Sequence, residues 1–172
     1  AMANMETTLF LFVKDRFDWG VQKASFGFAY VGICIALTQG VLVRKLLPKW
    51  GERTMLMFGF IFFILAMFLI GSSFWIWLLA VAMTILALGS GFINPALSGG
   101  VSLLSSSSEQ GEVIGVYHSL AALARILGPP LGGYLYMHSH MSMPFWVAGL
   151  FGVAGLLLVL SVLPQIPNAA KQ

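Results

Sequence analysis

The chain has 172 residues, of which 59% are hydrophobic and only 9% charged. A soluble domain carries about 25% charged residues, so the composition excludes an ordinary soluble enzyme, a disordered chain and a disulfide-built secreted domain, and leaves an integral membrane protein. The net charge of +3 comes from basic residues that flank apolar runs, without the aromatic-interleaved basic stripe of a nucleic-acid binder, and argues against a nucleic-acid partner.

A membrane-spanning helix needs about 20 mostly apolar residues. The first stretch, residues 1–13, is shorter than that; it starts on Ala1 without a basic flank or a signal-type cleavage site and reads as the outer part of a truncated helix. Residues 14–20 form a charged turn with an interfacial tryptophan, Trp19. The second stretch is 24–43, and its Cys34, between Ile33 and Ile35, reads as a small packed side chain. A basic loop, 44–53, leads to the third stretch, 54–70, and Gly71-Ser72-Ser73 to the fourth, 74–98. The fourth carries Gly89, Gly91, Asn94 and Pro95 in its second half, which predicts either a broken or bent helix lining a polar path or a kinked structural helix. A polar loop, 105–111, precedes the fifth stretch, 113–137, and the sixth is 144–163, ended by Pro164 and Pro167. No linker divides the chain, so residues 1–172 read as one all-α transmembrane domain, a bundle of about six helices.

Lys and Arg set the orientation. Arg44, Lys45, Lys49, Arg53 and Lys171 place five on one side, against Lys14, Arg16 and Lys23 on the other. This puts 44–53 and the C-terminus in the cytoplasm. Trp19, Trp75, Trp77 and Trp146 fall near helix ends, as aromatic belts do.

Arg125 is the residue with most to explain. It lies about 18 Å into its helix, near the bilayer centre, where a cation costs at least about 2.5 kcal/mol. Glu6, about 12 Å before the outer end of the first helix, is its best partner in depth. The pair is either a structural bridge between helices or a direct participant in proton coupling or substrate binding. His118 lies seven residues before Arg125 on the same helical face; it is either a proton relay or a polar residue bonded near the helix end. Gly115, Gly128-Pro129-Pro130 and Gly132-Gly133 on this helix permit close backbone approach, and the prolines predict a bend. Thr38, Gln39 and Asn94 are further candidates for a substrate or proton pathway. His138 and His140 alternate in a methionine-rich outer loop, but lack a third ligand, so a metal there is a remote reading and no cofactor is expected. No nucleophile elbow, zinc-protease or phosphate-loop motif is present, and an enzyme is not expected.

The run Gln39-Gly40-Val41-Leu42-Val43-Arg44-Lys45-Leu46-Leu47-Pro48-Lys49-Trp50-Gly51-Glu52-Arg53 resembles the cytoplasmic loop between helices eight and nine of major facilitator superfamily transporters. That loop is the second-half copy of a Gly-x-Leu-Ala-Asp-Arg-x-Gly-Arg motif, and here Arg44 stands where the first-half copy has aspartate. Glu109-Gln110-Gly111-Glu112-Val113-Ile114-Gly115, followed by Ser119, Arg125 and Gly128-Pro129-Pro130-Leu131-Gly132-Gly133, is similar to helix eleven of bacterial drug exporters related to tetracycline antiporters. The glycine spacing also resembles the antiporter motif of helix five, with Ala124 replacing its second glycine.

The resemblance implies the C-terminal half of a major facilitator fold, helices seven to twelve with seven clipped, in a bacterial cytoplasmic (inner) membrane. It implies secondary active transport, as proton-coupled export of hydrophobic or amphipathic small molecules, with the lipid bilayer, an N-terminal half and a small-molecule substrate as partners. The cavity wall would come from the helices holding Glu6, Thr38, Asn94 and Arg125, with 54–70 and 144–163 facing lipid. Gly40, Arg44, Lys45, Gly51, Glu52 and Arg53 would form a cytoplasmic latch. The alternative is a non-transporting structural or assembly subunit of a larger membrane complex.

Overall fold

The computed structural model describes residues 2–105 and 109–162, with side chains for 8–102, 105 and 109–161. The tail holding Pro164, Pro167 and Lys171 lies outside the described residues. Among the described residues the chain is helical throughout: α1 (Met2–Phe17), α2 (Val21–Leu37), a π-helical segment (Thr38–Val43), α3 (Arg44–Gly71), α4 (Ile76–Leu104), α5 (Gln110–His138) and α6 (Met143–Val162).

Three boundaries differ from the sequence expectation. Residues 44–53 are not a loop. Val43, Leu46 and Leu47 pack with Met55, Leu56 and Phe92, and this apolar face holds 44–50 as helix despite three cations. The break is confined to Gly51, at φ 72° and ψ 165°, a left-handed backbone that glycine takes without a Cβ clash. At the other end of the bundle, α1 runs on through Lys14 to Phe17, and the turn shrinks to 18–20 with Asp18 at φ 51°. Finally, α4 and α5 continue as α-helix through Pro95 and through Pro129-Pro130. The broken-helix expectation for α4 therefore fails, because the stretch from Gly89 to Ala96 is gripped by neighbours on two sides.

Those grips fix the helix directions. On one side of α4, the Tyr30 hydroxyl meets Thr84 Oγ1 at 2.8 Å, and a Cβ on Gly91 would lie 2.5 Å from Thr38 Cγ2, so α2 runs parallel to α4. On the other side, a Cβ on Gly89 would lie 2.7 Å from the Phe63 nitrogen and one on Gly59 would lie 3.1 Å from the Ile93 nitrogen. Glu52 packs on Gly99 in the same register, so α3 is antiparallel to α4. The 51-residue apolar stretch Val21–Gly71 is thus two rods folded back at Gly51. Among the described residues it is one of three stretches long and apolar enough to cross a membrane, with Ile76–Ser102 and Met143–Ser161.

The core lies around α3. Phe63, Ala66, Met67 and Ile70 are buried against Leu79, Met83 and Leu86 of α4 and against Phe145 and Ala148 of α6. Gly149, Gly152 and Gly155 of α6 receive Phe68, Ile64 with Phe63, and Phe60 in turn. Lipid offers no hydrophobic drive between helices, so such small-residue seats supply the van der Waals contact that holds them. Segment 54–70 thus has one face inside the bundle and one exposed face. Most of this segment packs inside the bundle, with Phe58, Ile61, Leu65 and Phe68 forming an exposed stripe.

Glycines on α2 and α5 behave differently. A Cβ on Gly32, Gly40, Gly111, Gly115 or Gly133 would meet nothing within 4 Å. Gly89→Ala is therefore expected to destabilise the chain by about 1–3 kcal/mol, since backbone atoms must move, while Gly115→Ala leaves stability equal or higher. Thermal unfolding in detergent checks this pair; equal losses would show that the α3–α4 crossing is not the tight one.

Candidate functional site

The polar residues within the apolar helices gather on α2, α4 and α5. Helix α1 packs along α5, and their outer ends are tied by the Tyr136 hydroxyl donating to Asp15 Oδ2 at 2.6 Å. Beside this bond the Arg16 guanidinium lies 4.2 Å from the centre of the Phe74 ring and reaches Met141 Sδ at 3.9 Å. The two helices run parallel from that tie. At 1.5 Å per residue, Glu6 is about 13 Å and Arg125 about 16 Å below it, so the two backbone positions share a depth. The Glu6 side chain lies outside the described residues.

On α5, Ile114, Tyr117, Ala121, Gly128, Gly132 and Leu135 are among the less exposed residues, and their three-, four- and seven-residue spacing puts them on one face. Arg125 falls within that stripe, yet it is exposed and makes no ion pair or hydrogen bond among the described residues. His118 is also exposed, with its ring 5.1 Å from that of Tyr117. One residue on, Ser119 donates to the Gly115 carbonyl at 2.9 Å. By the same register α1 begins level with about residue 123, so the N-terminal part of α5 extends past it, with most of its described side chains exposed.

Thr38 is buried, and its hydroxyl donates to the Cys34 carbonyl at 2.7 Å while its methyl presses on Gly91. It locks α2 to α4. Gln39 and Gly40, in the π-helical segment, are exposed, as is Asn94 on α4. The structure therefore brings Arg125 and His118 onto one face of α5 and Thr38 against α4, without a direct bond between the two groups. Among the described residues, buried Glu52 Oε2 has no partner; its carboxylate lies over Gly99 rather than beside the basic residues' exposed face.

The Tyr30–Thr84 bond escaped the sequence reading, although a tyrosine and a threonine each stand alone in an apolar run. It adjoins an apolar cleft of about 460 Å³ lined by Trp19, Gly27, Tyr30, Trp77, Ala80 and Met83. At the outer loop, His138 stacks on Tyr134 with ring centres 4.3 Å apart. The His140 Nδ1 accepts the Ser142 N–H at 3.2 Å, which uses the lone pair a metal would need. No cluster of three metal-ligating side chains occurs among the described residues.

The profile of the Major Facilitator Superfamily matches residues 1–172. The chain belongs to this superfamily. It is 32% identical over 145 residues to the class B tetracycline resistance protein of Escherichia coli, covering 81% of this chain and 34% of that protein. Identity is 31% over 163 residues to the class D tetracycline resistance protein of Salmonella ordonez, covering 94% and 41%. Its fold matches the crystal structure of the human organic anion transporter MFSD10 (TETRAN) with a TM-score of 0.80 at 22% identity, over 91% of this chain and 38% of that one. The chain thus spans about a third of the length of its relatives, and as a member of this superfamily it is an integral membrane protein.

The α1–α5 tie has a measurable worth. A double-mutant cycle with Tyr136→Phe and Asp15→Asn is expected to give a coupling of about 1 kcal/mol in thermal unfolding. A coupling of zero would mean the outer tie does not set the register of the two helices.

Proposed function

We propose that this chain is the C-terminal half of a secondary transporter that exports hydrophobic or amphipathic small molecules, driven by proton antiport. The observation that carries the reading is the division of the glycines. Gly59, Gly89, Gly91, Gly149, Gly152 and Gly155 on α3, α4 and α6 seat neighbours inside the bundle, whereas Gly32 on α2, Gly40 on the π-helical segment and Gly111, Gly115 and Gly133 on α5 face open space. Glycines on an exposed helical face permit a second helix pair to approach closely, and an N-terminal half supplies such a pair. The tetracycline resistance proteins among the relatives support export as the direction and drugs as the substrate class.

In this reading substrate binds near the midplane between the two halves and alternating access comes from one half rocking on the other. Arg125, exposed and unpaired among the described residues on the α5 face, supplies the mid-depth charge, and Glu6 at matching depth carries the proton. His118 and Gln39 line the path on the cytoplasmic side, and Asn94 does so from α4. The orientation set by the basic residues puts 44–53 and the C-terminus in the cytoplasm of a bacterial inner membrane. There Arg44 and Arg53 engage helix ends of the other half when the inner side is shut.

The test is uptake into inverted proteoliposomes by a complete two-half protein containing this chain. Drug accumulation is expected to require an imposed pH gradient, to fall about tenfold or more in Arg125→Ala, and to survive in Arg125→Lys. Uptake indifferent to the gradient removes proton coupling, and absence of transport with an intact fold favours the assembly-subunit reading.

A further inference from the structure

We infer that the cationic end of the α2 rod is a binding site for an anionic phospholipid headgroup, with the exposed stripe of α3 as its acyl-chain track. Four observations converge on this site. The first is the helix itself. Because 44–50 is helical, its residues sort onto two faces, with Val43, Leu46 and Leu47 against the core and Arg44, Lys45 and Lys49 exposed on the opposite side. Such a loop read from sequence has no face; as a helix it presents three cations on one side.

The second observation is depth. No charge occurs between Lys23 and Arg44, a helical span of about 31 Å, which matches a hydrocarbon core of about 30 Å. Arg44 then stands at the boundary of the hydrocarbon, and Lys45 and Lys49 in the headgroup layer.

The third is charge balance. Among the described residues none of the three cations makes an ion pair or hydrogen bond. The acid of the same segment, Glu52, is turned onto Gly99 of α4, Arg53 is half-buried, and α4 and α6 carry no charged residue at all. Glu109 and Glu112 belong to the start of α5, which packs mainly on α1. The face is therefore an uncompensated cationic surface, complementary to a phosphate diester.

The fourth is the apolar continuation. Trp50, next to Lys49, lies with its ring 5.5 Å from Phe58, and Phe58 lies 6.3 Å from Phe62. Phe58, Ile61 and Leu65 are 40%, 45% and 45% exposed and lead from the cations toward the mid-membrane. A phospholipid satisfies both parts at once, whereas free phosphate or a soluble acidic peptide uses only the cations.

The inference rests on the membrane-spanning fold and needs no transport activity, so the test reads lipid alone. The full chain is taken from vesicles of equal phosphatidylglycerol and phosphatidylcholine, and retained lipid is measured by native mass spectrometry. Phosphatidylglycerol is expected to be enriched, with the enrichment falling about fivefold for each cation removed in Arg44→Gln, Lys45→Gln and Lys49→Gln. Arg44→Lys and the outer-end pair Lys14→Gln and Lys23→Gln should leave it unchanged. Should the triple variant fail to fold, the unaltered chain is titrated with salt, which must lower the enrichment. Overturning results are no enrichment, enrichment that survives the triple variant or high salt, or enrichment lost equally from the outer-end pair.

Discussion

Where α3 crosses α4, there is no room for a side chain on either helix: a Cβ on Gly89 would meet the Phe63 nitrogen at 2.7 Å, and one on Gly59 would meet Ile93 Cγ1 at 2.8 Å. In a solvent of acyl chains, close packing rather than exclusion from water joins helices, so this contact decides which face of each rod is interior. It turns Phe63, Ala66, Met67 and Ile70 inward and leaves Phe58, Ile61 and Leu65 outside. The glycines of α6 extend the same principle, each accepting a ring or branched chain from α3. Helix α3 is consequently the spine, with α4 and α6 fastened along it.

Helices α2 and α5 stand outside that spine. Helix α2 joins α4 through Tyr30 on Thr84 and Thr38 on Gly91, and α5 packs along α1, where Tyr136 bonds Asp15. Their remaining surfaces hold the unfilled glycines, the guanidinium of Arg125, which has no partner among the described residues, and the exposed ring of His118. A guanidinium at mid-membrane depth is costly against acyl chains, so its position argues that the surface around it meets protein, substrate or water instead. The same chain thus divides into a closely packed part and a part with open faces.

Much of this was legible from the sequence, because composition and run length alone fix how many rods there are and where they lie. The apolar stretches and the membrane class followed from composition and run length, and the superfamily resemblance from Gly40, Arg44, Gly51 and Arg53 and from the glycine-proline cluster of α5. What was hidden has physical causes. A run of four cations looks like a loop, yet Leu46 and Leu47 make it a helix. Proline in mid-helix looks like a break, yet Pro95 sits where neighbours clamp α4. Thr38 looks like a pathway residue, yet its hydroxyl is spent on its own helix. Pairings such as Tyr30 with Thr84 depend on which rods become neighbours, and periodicity carries no such information.

The central claim is that α3 and α6 meet lipid while the open faces of α2 and α5 meet a second six-helix half. Spin labels at Gly32→Cys and Gly115→Cys, compared with labels at Leu65→Cys and Leu158→Cys in a complete two-half protein in bilayers, test it through collision with dissolved oxygen. Labels on α3 and α6 should relax strongly with oxygen, and those on α2 and α5 should be shielded. Equal oxygen access at all four positions would place α2 and α5 against acyl chains and contradict the account.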